Sequence, residues 1–197
     1  YDDMSYQDIA NVTGSDKQMT TDNDIIQLCK ADMGKGFALL VDTYQQKVYW
    51  HIRRLVVSHE DAEDLLQEVF VKSFKNWKSF RGDSSIGTWL YRIATNECIT
   101  FINKQKNKAV VESGNSQELA QKLAGDSMTD SSDHIIMALQ EAVLKLPEMQ
   151  RMVFNMRYYD DMSYQDIANV TGSSMSAAKT NYHIAKQKVT EYIKKLF

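Results

Sequence analysis

Three clusters of side chains in this sequence could do chemistry, and each is suited to binding rather than to catalysis. The ten residues from His59 to Glu68 hold five carboxylates and no Lys or Arg, with Asp61, Asp64, Gln67 and Glu68 at helical spacing on one side. Such a face is either a solvated surface, helped by acids near a helix N-terminus, or a docking surface for a basic partner. Farther on, Thr88, Trp89, Arg92, Asn96 and Asn103 share the outer side of a second helix and lead into Lys104, Lys106 and Lys108. Aromatic, amide and cationic groups in that mixture stack on unpaired bases and neutralise phosphates, although a Trp at helical spacing equally serves a core. From Ser173 to Phe197, Lys179, Lys186, Lys188, Lys194 and Lys195 stand against Glu191 alone. That is a basic patch fit for duplex DNA, or else a solvated tail on a trihelical core.

Patterns for turnover fail. His59-Glu60 lacks the second His of an HExxH site, Gly34-Lys35-Gly36 is not a phosphate-binding loop, and no nucleophile has a base partner at a telling distance. Cys29 and Cys98 stand alone, without a CxxC pair or a nearby His, so they read as buried thiols, and neither a metal nor a cofactor is expected. No apolar run exceeds five residues, the length of Phe37 to Val41, against the roughly 20 needed to span a bilayer. No charged-then-apolar segment opens the chain, so no membrane insertion and a cytoplasmic location are expected.

The elements that must position these clusters are helical. Across 197 residues with one Pro and eight Gly, strand signals are almost absent, while apolar residues recur at helical spacing. The spacing predicts an all-α protein of two small helical domains, residues 19–106 and 134–197. Between them, residues 107–133 carry five Ser, two Gly and five acids against Lys108 and Lys122, which predicts a flexible linker with a short helix around Gln117 to Leu123. The first 15 residues, Tyr1 to Ser15, repeat Tyr159 to Ser173 letter for letter. With Met19 resembling a natural start, residues 1–18 read as an engineered scar or a misassigned duplicate, ahead of a genuine recent duplication. Without them the balance of 23 basic to 26 acidic residues becomes 22 of each.

In the first domain, Ala62, Leu65, Leu66, Val69, Phe70, Phe74 and Trp77 form one predicted apolar stripe. Phe80-Arg-Gly-Asp-Ser-Ser85 is a turn with a serine cap, and Ile86, Leu90, Ile93, Ala94 and Phe101 point inward from the helix that follows. Glu97 falls close to that stripe without an evident partner. In the second domain, Pro147 suits the first turn of a helix, and Ser163-Tyr-Gln-Asp166 is a capping-box-like start for a short one. Gly172 stands where a tight turn needs a residue without a Cβ, and Ser173 or Ser174 can cap the next helix. This is helix-turn-helix grammar.

Taken in order, Asp61-Ala-Glu-Asp-Leu-Leu-Gln-Glu-Val-Phe70, Phe80-Arg-Gly-Asp-Ser-Ser85, Thr88-Trp-Leu-Tyr-Arg-Ile-Ala94 with Asn96, Leu146-Pro-Glu-Met-Gln-Arg151 and the helix-turn-helix resemble the extracytoplasmic-function (group 4) sigma factors of bacterial RNA polymerase. The resemblance covers about residues 24–106 and 134–195, and Lys179-Thr-Asn-Tyr-His183 is most similar to members from Bacteroidetes. It implies a non-catalytic promoter-specificity subunit with a sigma domain 2 helical bundle over 19–106 and a sigma domain 4 helix-turn-helix over 134–197.

By that resemblance, Asp64, Gln67 and Glu68 dock on the clamp coiled coil of the polymerase largest subunit, and the second-largest subunit offers its flap. Phe80, Arg81, Ser84, Ser85 and Asn96 capture a flipped base of the −10 element, with Thr88, Trp89, Arg92 and Lys104 beside them on the DNA. Lys179, Thr180 and His183 read the −35 element, and Ser176 and Lys186 lie near its phosphates. An anti-sigma factor is implied as a further partner, and no cofactor. Gly87, Ala178, Asn181 and Ile184 depart from the family's pattern, so its usual −35 sequence is not assumed.

Overall fold

The computed structural model describes residues 20–108 and 131–196. The repeat at residues 1–15 and the short helix expected near Gln117 lie outside the described residues. By its internal contacts the chain divides into a unit ending at Thr43 and one running from Tyr44 to Phe197.

The first unit holds α1 (Asp22–Ala31) and the start of α2 (Met33–Val56). Thr21 opens α1 with a reciprocal capping box: its hydroxyl oxygen accepts from the Asp24 N–H while Asp24 accepts from the Thr21 N–H at 2.9 Å. The Thr21 hydroxyl, donating to Asp24 Oδ2 at 2.7 Å, and then the Thr21 N–H hold the Asp24 carboxyl below its ordinary range. Ile25, Cys29 and Leu40 are buried. Gly36 lets the two helices meet at backbone distance, because a Cβ there would fall 2.3 Å from the Cys29 nitrogen and 2.5 Å from its Cα. Packing, rather than phosphate binding, therefore explains a glycine in Gly34-Lys35-Gly36.

The second unit contains the rest of α2, then α3 (His59–Asn76), a 3₁₀ turn (Trp77–Ser79), α4 (Ile86–Lys108), α5 (Ser131–Leu144), α6 (Glu148–Tyr158), α7 (Tyr164–Thr171) and α8 (Met175–Lys194). All regular structure among the described residues is helical. Val57 ends α2 at φ 69°, an uncommon conformation for a β-branched residue. Burial of its side chain and a 2.9 Å bond from its N–H to the Arg53 carbonyl hold it there. Ser58 then caps α3 through the Asp61 N–H.

The α3 stripe is as expected at Ala62, Leu65, Val69 and Phe70, which are buried. Phe74 departs from it: it is 49% exposed and Ser73 is buried in its place, with its hydroxyl donating to the Val69 carbonyl at 2.7 Å. That bond removes the cost of burying a polar group and lets α3 present Ser73 inward. Glu97 finds its partner in Lys72 of α3.

Toward the C-terminus, α8 packs on α5, α6 and α7. Phe154, Val143, Leu146, Ala185 and Val189 form the buried core, flanked by Tyr159, Tyr182 and Tyr192. Pro147 is the N-cap of α6, one position before the expected first turn. Ser163 caps α7 by accepting from the Asp166 N–H at 3.1 Å. Gly172 closes α7 at φ 68°, with its N–H and that of Ser173 both reaching the Ala168 carbonyl. Ser174, the second of the two candidate serines, caps α8.

One feature has no counterpart in the sequence reading: α4 packs against α7, so the lobes expected to be tied only by a linker also touch directly.

Two predictions follow from the buried groups. Gly36→Ala should destabilise by about 1 to 3 kcal/mol through overpacking. Gly34→Ala, whose added carbon meets only Asp32 Oδ1 at 3.4 Å, should be neutral or stabilising by about 0.5 to 1 kcal/mol; equal urea midpoints for both variants would refute the close approach. Burial pushes the Cys98 thiol up to about 12, with the Glu97 charge adding to it. Burial likewise lifts the Tyr159 phenol to about 12, against the pull of Arg54, and raises Tyr91. The folded state then keeps protons that the unfolded chain loses from about pH 9 to 10. These groups stabilise fully below that range and progressively less as pH rises toward 12. The urea midpoint should fall between pH 8 and pH 10.5, and a constant midpoint would contradict the burial.

Candidate polymerase and nucleic-acid interfaces

Asp64, Gln67 and Glu68 are all exposed on α3, and their i, i+3, i+4 spacing makes them one patch. Val71, 52% exposed, continues the same row one turn on. The sequence reading missed it because an isolated valine in a polar row carries no signal of its own.

The loop between α3 and α4 is built on an aromatic wedge. Phe80 is half-buried and stacks on Trp77 with ring centroids 5.3 Å apart. Trp89 sits edge-on to Trp77 at 5.9 Å and tilts against Phe80 at 5.3 Å. Trp89 is only 5% exposed, which corrects its expected place on the outer side of α4. Three aromatic rings bury more apolar surface against one another than one ring gains in water, so Trp89 is the floor of the loop rather than a stacking platform. Gly82, at φ 76°, makes the turn above it.

Ser85 caps α4 by accepting from the Thr88 N–H at 3.0 Å. Thr88 is also buried rather than outward-facing, and its hydroxyl donates to Asp166 Oδ1 of α7 at 3.2 Å. With the single Thr88 proton used there, Ser85 Oγ is the donor in the 2.9 Å contact between the two hydroxyls. Arg81, Ser85, Arg92, Asn96 and Lys104 are exposed and Ser84 is half-buried, so these remain open to a strand. Gly87 is explained by packing, since a Cβ would meet the Tyr44 ring at 3.2 Å.

On α8, Ser176, Lys179, Thr180, His183 and Lys186 are all exposed, and the last four line one hollow of about 470 Å³ together with Tyr164 and Tyr182. Those tyrosines, edge to face at 6.0 Å, were not picked out from the sequence. Tyr164 is the first residue after the Ser163 cap, and that position was its only signal. Arg157 stands 5.3 Å from the Tyr164 ring centroid, adding a cation beside the hollow. Ala178, where a larger apolar residue is usual, is fully buried.

Among the described residues no His, Cys, Asp and Glu group could hold a metal ion, and no helix is long and apolar enough to cross a membrane.

The chain matches two recognised families. Residues 40–108 match Sigma-70 region 2, and residues 136–189 match Sigma-70, region 4. The chain is 29% identical over 187 residues to the ECF RNA polymerase sigma factor SigW of Bacillus subtilis, covering 91% of this chain and 100% of that protein. It is 28% identical to the ECF RNA polymerase sigma-E factor of Escherichia coli, covering 91% and 97%. In fold it resembles the sigma factor RpoE of Bartonella quintana, solved in complex with the anti-sigma factor NepR, with a TM-score of 0.67 and 21% identity over 81% of this chain and 98% of that one. CnrH, solved with the cytosolic domain of CnrY, gives 0.64 and 19% over 87% and 95%. With Sigma-70 regions 2 and 4 matched in this order and ECF sigma factors as its relatives over 91% of its length, the chain belongs to the extracytoplasmic-function group of RNA polymerase sigma factors.

Proposed function

We propose that this chain directs promoter-specific transcription initiation as a non-catalytic subunit of RNA polymerase in the cytoplasm, with residues 19–106 and 134–197 as its two working domains. The observation that carries the reading is the presence, in one chain, of an exposed acidic patch on one helix and an exposed basic hollow on another. A regulator that bound DNA alone would need the second and not the first.

Asp64, Gln67 and Glu68 dock on the clamp coiled coil of the largest polymerase subunit, and the C-terminal lobe meets the flap of the second-largest. Arg81, Ser84, Ser85, Arg92, Asn96 and Lys104 contact the −10 strand, with Phe80 held at the lip of the site by Trp77 and Trp89. Unstacking a base costs a few kcal/mol, which contacts in a preformed pocket offset. Lys179, Thr180 and His183 read the −35 duplex, Ser176 and Lys186 hold its phosphates, and Tyr164 borders the same hollow. Docking on polymerase raises the effective concentration of each DNA contact, so a chain without net positive charge suffices. RpoE and CnrH were solved with NepR and CnrY, which supports an anti-sigma factor as a further partner here.

Asp64→Lys reverses a charge in an exposed patch. It should weaken binding to core polymerase by about 2 to 5 kcal/mol, the range for losing one side of a close interfacial charge pair, while leaving the thermal unfolding midpoint unchanged. Undiminished core binding and transcription would remove the docking assignment. Lys179→Ala should cost about 1 to 3 kcal/mol at one base position if it reads a base edge, and a smaller, sequence-independent amount if it touches phosphate alone. Unchanged binding to a −35 duplex would take Lys179 out of the site.

A further inference from the structure

The side chains of α8 divide into those held by the protein itself and those that face outward. Both amides of the helix are held. Asn181, half-buried, donates from Nδ2 to the Ala177 carbonyl at 3.0 Å, and Gln187 donates from Nε2 to Glu191 Oε1 at 3.0 Å. Lys188 is likewise drawn aside, donating to Gln150 Oε1 of α6 at 3.0 Å. In the major groove adenine is gripped by a bidentate Asn or Gln, and cytosine N4 donates to a carboxylate. Neither grip is presented here, because both amides and Glu191, the one carboxylate of α8, are turned to partners on the chain.

What faces outward is a cationic row and a neutral one. Lys179, His183 and Lys186 border the hollow. Ser176, Thr180 and Ile184 succeed one another every four residues, which sets them in a single row, and all three are exposed, Ile184 to 36%. A lone apolar residue is ordinary on a protein surface. One placed in the row that enters the groove is different, because a base edge offers it an apolar partner in one form only, the C5-methyl group of thymine. We propose that Ile184 is a specificity-determining residue, packing on a thymine methyl group, so that the −35 element of this chain carries an A·T pair with its thymine toward Ile184. This names the base selected and rests on the reading above, in which α8 lies on a −35 duplex. Thr180, with a hydroxyl and a methyl in the same row, accommodates more than one base, and guanine falls to Lys179.

The test takes the full chain bound to core polymerase and selects from duplexes randomised through the −35 window. Each thymine of the selected sequence is then replaced singly by deoxyuridine, which removes the 5-methyl group and leaves the hydrogen-bonding edge unchanged. One such replacement should weaken binding about three- to fivefold, the loss expected for one buried methyl-sized group. Ile184→Ala should lose a similar factor on the thymine duplex and show no further loss on the deoxyuridine duplex, so that the two changes do not add. Ile184→Val, which keeps branched methyls toward the base, should retain most of the preference. A selected sequence without thymine, or one whose thymines all tolerate deoxyuridine, overturns the inference and leaves the −35 reading standing. That comparison is made on the unaltered chain and does not depend on a variant folding. A deoxyuridine loss that persists in Ile184→Ala assigns the methyl to another side chain and overturns the inference as well. Failure to select any −35 sequence removes the reading and the inference together.

Discussion

Recognition of a polyanion by a chain whose formal charge is −3 is possible only if its charges are sorted in space. That constraint organises the described structure. Acids collect on the outer face of α3, where Asp64, Gln67 and Glu68 are exposed, while lysines collect along α8 and at the end of α4. Helical secondary structure makes the sorting simple, because a face repeats every three to four residues and one helix can keep an apolar stripe inward and a single charge type outward. Net charge says little about such a molecule, since a partner meets one face at a time.

The same sorting leaves a cation at Arg54 that needs an anion beside it. The C-terminal lobe supplies it with Asp160. Burying a carboxylate costs several kcal/mol per ion unless charge and hydrogen bonds compensate, and Asp160 meets both His51 and Arg54. The arrangement is worth little as a permanent brace, because a buried pair roughly balances its own desolvation. The fully buried His51, bridged to Thr95 on its other side, keeps half of the joint in shape.

What could be read from the sequence was mostly what is local. The Ser163 cap, the left-handed Gly172 and the Ser174 cap each depend on residues within a few positions, and the turn from Phe80 to Ser85 was recognisable by its own letters. Trp89 was harder: its spacing fitted an outward face, and only the presence of Trp77 and Phe80 across the loop shows that it belongs inside. Phe74 and Ser73 exchanged places because one hydroxyl found a carbonyl, which periodicity does not weigh. Gly34-Lys35-Gly36 was legible only as not being a phosphate loop, and the reason for Gly36 lies in the Cys29 backbone packed against it. The joint between Asp160 and Arg54 was invisible in principle, since residues 106 positions apart leave no mark on each other's local pattern.

The central claim is that this molecule gives polymerase its choice of start site by reading two separated stretches of DNA. It is tested most directly by run-off transcription with core polymerase on a promoter library randomised in both the −10 and −35 windows, followed by sequencing of the transcribed templates. The account predicts transcripts that depend on this chain and a defined sequence enriched in each window. Transcripts no more abundant than with core polymerase alone, or templates with no enrichment in either window, would contradict it.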